Sequence, residues 1–166
     1  MEVSRNGNDW LRKQYTMFRI NQLRAGDFID LDNYYREFET AQEETQEVAE
    51  TIVKFFEILK VEIPKDESGY VEIFKEFAIQ MLEIKGNYEF IYSPPPLPST
   101  LNTEENTIGN EYRKEFAEMY GGYVENVYLL STIFRKLPNE ILEMNVLDFL
   151  FWANYLNHKR WCEKIK

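Results

Sequence analysis

His158 and Cys162 are the only imidazole and the only thiol in the chain. They lie four residues apart, a spacing that puts two side chains on one face of a helix. A single histidine rules out multi-histidine metal sites within one chain, and no catalytic triad is expected around it. No general base or nucleophile-activating motif surrounds Cys162, which reads as a semi-buried packing thiol, and His158 reads as an exposed residue in the last turns of a helix. The acidic run Glu37, Glu39, Glu43, Glu44, Glu47 and Glu50 invites a di-metal carboxylate reading. The helix-bundle form of that site pairs Glu with His three residues on, and no Glu-x-x-His occurs, so the run reads as a solvated face. Paired carboxylates can hydrolyse a glycosidic bond, but that needs a cleft separating their pKa values, which spacing does not provide. Gly121-Gly122 lacks the following Lys-Ser/Thr or the third glycine of a phosphate cradle. Neither a catalytic residue nor a metal or cofactor is expected.

The remaining candidates concern binding. Pro94, Pro95, Pro96, Leu97 and Pro98 form a stiff, low-entropy segment, readable as a ligand for an aromatic proline-binding groove or as a connection between helices. Phe149-Leu150-Phe151-Trp152 carries apolar side chains all round its helix, more than one buried face needs. The expected partner-binding surface is Phe151, Trp152, Tyr155 and Trp161. The competing reading makes all four core.

These residues need elements to position them. At 166 residues with 44% hydrophobic and 16% aromatic side chains, the chain can bury a substantial core as one domain without disulfides or metals. The periodicity predicts an all-α fold of about six helices in two halves. Residues 10–85 hold the N-terminal helices, 86–107 a Pro-rich extended connector and 108–166 the C-terminal helices. A helix is expected over Trp10–Leu23, and a long one beginning near a cap at Asp30 or Asp32. That long helix either projects from the core or breaks in its polar middle, Glu39 to Glu47. After Pro64, Tyr70, Ile73, Phe74, Phe77, Met81 and Ile84 form one apolar face, stopped by Gly86-Asn87. No helical period is visible over 86–107. Tyr112, Phe116 and Met119 then share a face, Gly121-Gly122 marks a kink or turn, Pro138 opens a short helical turn and Asn145 starts the last helix.

The formal charge of −10 repels nucleic-acid phosphate and anionic lipid, which argues against a generic nucleic-acid binder. No apolar run approaches the roughly 20 residues of a membrane-spanning helix. One cysteine and no signal-type amino terminus favour a reducing, cytosolic setting.

Two stretches, Arg19-Ile20-Asn21-Gln22-Leu23-Arg24-Ala25-Gly26-Asp27-Phe28 and Leu137 through Trp152, resemble segments of the small acidic helical tail- and baseplate-assembly proteins of long-tailed bacteriophages. In that family a Pro-x-Glu-Ile/Leu-x-x-Met-x-x-x-Asp-Phe turn precedes a terminal helix, as at Pro138, Glu140, Ile141, Met144, Asp148 and Phe149. The resemblance covers about a sixth of the chain. It implies a non-catalytic chaperone that holds a long helical tape-measure protein soluble in the host cytoplasm, or a tail or baseplate component kept in the virion. The implied partner is a tape-measure or other tail protein, with self-association also open. The triple proline and the long acidic helix depart from the family's pattern. Two other classes stand beside this one: an acidic decoy whose carboxylates imitate nucleic-acid phosphate in a host enzyme's basic groove, and an enzyme built on carboxylates.

Overall fold

The computed structural model describes residues 17–42, 45–93 and 122–164. Seven α-helices form among them: α1 Ala25–Thr40, α2 Gln46–Leu59, α3 Glu67–Asn87, α4 Glu89–Tyr92, α5 Tyr123–Phe134, α6 Pro138–Leu142 and α7 Val146–Lys164, with a 3-10 turn at Ile20–Gln22. The all-α class is as expected. The helix expected around Tyr112, Phe116 and Met119 and all of Pro94–Pro98 lie outside the described residues.

Three expectations change. The helix over Trp10–Leu23 is not what its described part adopts, because Arg19 is extended and only Ile20–Gln22 turn. The cause is tertiary: Gln80 of α3 accepts from the Ile20 amide (3.0 Å) and donates to the Phe18 carbonyl (3.0 Å), holding the backbone open at that point. Asp30 and Asp32 cap nothing, since α1 already starts at Ala25. Finally, α4 interrupts the stretch in which no helix was expected. It is one turn long, too short to show a period, and Asn154 of α7 accepts its Phe90 amide at 2.9 Å.

The polar middle of the predicted long helix is a break. Thr40 turns its hydroxyl back onto the Arg36 carbonyl (3.0 Å), Ala41 is extended, and Thr45 restarts the chain by accepting the Val48 amide at 3.3 Å. With no large apolar side chain to anchor it, this stretch lets α2 fold back on α1, and the Thr51 hydroxyl reaches Glu37 at 3.2 Å. Lys60, in the left-handed region at φ 56°, ends α2 where glycine is usual. Asp66 then caps α3, accepting the Gly69 amide at 2.9 Å.

Helices α1, α2 and α3 meet through aromatic rings. Phe55 is fully buried, with ring centroids 5.5 Å from Phe38, 5.7 Å from Phe56, 5.5 Å from Phe74 and 5.1 Å from Phe77. The edge-on and tilted geometries are those in which such pairs contribute about 0.5–1.5 kcal/mol beyond area burial.

The second half joins the first at the start of α1. The Ala25 amide donates to the Met144 carbonyl (2.8 Å), the Val146 amide donates to Leu23 (2.9 Å), and Arg24 bridges Asp27 and Glu143 at 3.0 and 2.8 Å. Gly26 sits at a close approach: a Cβ there would stand 3.3 Å from Leu142 Cβ, so Leu142 would have to give by a few tenths of an ångström. Residues 19–28 and 137–152, far apart in sequence, are therefore in direct contact.

Candidate protein-binding surface

Helix α7 buries Val146, Phe149, Leu150 and Ala153 completely. Asn145 starts it, as expected, by accepting the Leu147 amide at 2.9 Å. Three of the four proposed binding residues face the other way: Phe151 is 55% exposed, Trp152 38% and Tyr155 50%. They form a ridge. The Trp152 ring lies 5.4 Å from Phe151, 6.1 Å from Tyr155 and 5.4 Å from Phe134 at the end of α5, each pair close to perpendicular. Ile133 and Leu137, flanking Phe134 in sequence, are exposed as well.

Trp161 does not join the ridge. It is half-buried on the side of α7 that faces α4, with its ring 5.9 Å from Phe90, and its indole N–H has no hydrogen-bond partner among the described residues. His158 is exposed and stacks on the same Phe90 at 4.5 Å, and Cys162 is half-buried.

A second constellation was invisible to motif searching. Asp32, 1% exposed, receives Arg36 Nη2 at 2.6 Å and the Tyr123 hydroxyl at 2.7 Å on one oxygen, with Lys85 Nζ 3.8 Å from the other. The Tyr123 hydroxyl is also 2.8 Å from that of Tyr92, and the Arg36 guanidinium stands 5.9 Å from the Tyr123 ring centroid. Burial, reinforced for Tyr123 by the Tyr92 and Asp32 oxygens, pushes both phenols above the ordinary tyrosine range. Helical spacing held the clue: Asp32 falls four residues after Phe28 and three before Tyr35, on the face α1 buries.

This carboxylate is enclosed and already partnered. What the cluster does is mechanical. Tyr92 ends α4 and Tyr123 begins α5, so the chain leaves and re-enters the described fold at one point, clasped on Asp32. A smaller polar bridge supports it, with Asn157 of α7 donating to buried Asn126 of α5 at 2.8 Å.

Of the acidic run, Glu39, Glu47 and Glu50 are exposed and Glu37 is half-buried against Thr51, while Glu43 and Glu44 lie outside the described residues. Among the described residues no group of three or more His, Cys, Asp or Glu side chains could hold a metal ion, and no helix is long and apolar enough to cross a membrane. Compared with protein-family models, curated proteins and solved structures, the chain matches none.

Proposed function

We propose that this chain is a non-catalytic protein-binding factor that engages a helical protein partner through the ridge formed by Phe134, Phe151, Trp152 and Tyr155. The observation that carries the reading is the ridge itself. At their exposures, the three α7 rings leave on the order of 300 Å² of aromatic surface open. That is within the range of the largest apolar patch on a typical monomer, a patch that is often functional, and Trp and Tyr are among the residues that dominate interface energies. A helix laid along the ridge would bury its own apolar stripe against these rings.

The resemblance of residues 19–28 and 137–152 extends this to bacteriophage tail assembly, with the chain as a chaperone for a long helical tape-measure-type protein. The neighbouring role, a structural part of the tail or baseplate, uses the same surface and differs in whether the chain stays in the particle. The exposed carboxylates of α2 and of the α2–α3 linker favour one other reading, an acidic decoy for a basic host enzyme.

The test is affinity capture from the native source with the wild-type chain and Trp152→Ser. Recovery of a long helical tail protein by the wild type, lost in the variant, is the expected result. Capture indifferent to Trp152, or capture of a host DNA-processing enzyme that falls steeply with salt, overturns the proposal.

A further inference from the structure

The ridge is self-complementary. On α7, Asp148 lies four residues before Trp152 and Lys159 four residues after Tyr155, so all four share the exposed face with Phe151. Asp148 and Lys159 are exposed, and neither has an ion-pair partner among the described residues. Place a second α7 antiparallel to the first, about a two-fold axis passing midway between Trp152 and Tyr155. Trp152 of each copy then faces Tyr155 of the other. The same operation sets Asp148 opposite Lys159 at both ends of the contact. Such an arrangement is isologous, with one patch meeting itself, as closed dimers require.

The charge of this part of the chain does not oppose self-contact. The chain carries −10, yet residues 122–164 contain five lysines and arginines and five carboxylates and are neutral. The excess acid is elsewhere in the sequence, so the stretch that carries α7 brings no net charge of its own to a contact between copies.

We propose that the ridge is covered by a second copy of this chain, through antiparallel pairing of α7 in which Asp148 meets Lys159, and that a helical partner displaces this copy to bind. The proposal rests on reading the ridge as a contact surface. It adds an occupant and a register. Self-pairing buries the rings until the partner arrives, so the exposed aromatic surface does not drive indiscriminate aggregation.

The test is sedimentation equilibrium of the full chain over a wide concentration range. The wild type is expected to approach twice the mass of one chain. Lys159→Asp and Asp148→Lys should each weaken the dimer by about tenfold or more, since each creates two like-charge contacts, and the combined D148K/K159D chain should regain most of the loss. Circular dichroism confirms that each variant folds. Register is checked separately in a Cys162→Ser background. There D148C/K159C should form a disulfide-linked dimer on oxidation, while D148C alone should not, its two thiols being about 16 Å apart along the axis. A wild type that stays monomeric, charge reversals without effect, or a double reversal as weak as the singles overturns the proposal. A monomer that still captures a partner through Trp152 defeats self-pairing and leaves the docking function standing. A dimer whose partner capture ignores the ridge does the reverse.

Discussion

Tyr123→Phe removes one hydroxyl from the centre of the clasp and leaves the ring, with its 6.1 Å edge contact to Phe28, in place. In the wild type that hydroxyl donates to the buried Asp32 carboxylate at 2.7 Å and is 2.8 Å from the Tyr92 hydroxyl. A hydrogen bond to a charged group contributes about 1.5–3 kcal/mol, and a neutral one about 1 kcal/mol. Asp32 keeps Arg36 at 2.6 Å, so its charge stays compensated and the larger cost of an orphaned buried ion is avoided. The expected destabilisation is therefore about 2–3 kcal/mol, a fall in Tm of roughly 5–10 °C for a domain of this length. Tyr92→Phe should cost about 1 kcal/mol. The double variant should cost no more than Tyr123→Phe alone, because the bond Tyr92 would lose is already gone, giving a coupling of about 1 kcal/mol. Chemical denaturation of the four chains measures this cycle. Additive losses, or a Tyr123→Phe chain within about 0.5 kcal/mol of wild type, would refute the clasp as a source of stability.

Three further outcomes are expected. Both clasp phenols are held protonated above the ordinary tyrosine range, chiefly by burial, so their contribution is complete below the unfolded value of about 10 and falls as pH rises beyond it. Denaturation midpoints between about pH 8 and 11.5 should show a drop that is shallower in Tyr123→Phe, and equal drops would contradict the assignment. Gly69→Ala puts a Cβ 2.6 Å from Pro64 Cβ, and although alanine favours helix, the forced shift should cost about 1–3 kcal/mol in a thermal melt. Phe55→Ala empties a site lined by four rings and should cost about 3–5 kcal/mol, while a cost below about 1 kcal/mol would mean that the aromatic core collapses to refill it.

The helical class, the apolar face of α3, the restart after Pro64 and the start of the last helix at Asn145 were all legible in the residues. Each rests on local terms: a 3.6-residue apolar period, a side-chain cap or a proline that cannot continue a helix. The surplus of apolar side chains on α7 likewise pointed to Phe151, Trp152 and Tyr155. Which of them would stay exposed was a tertiary question. Phe90, on the one-turn helix α4, covers Trp161 and leaves Tyr155 open, and so short an element leaves no periodic trace. The same holds for Gln80 unwinding the chain around Phe18–Ile20, and for Asp32 drawing together Arg36, Lys85, Tyr92 and Tyr123 from four helices. Apart from Arg36, which is one helical turn from Asp32, those contacts join residues about 30 to 90 positions apart, and the spacing of side chains along one element carries no information about which distant partner will meet them.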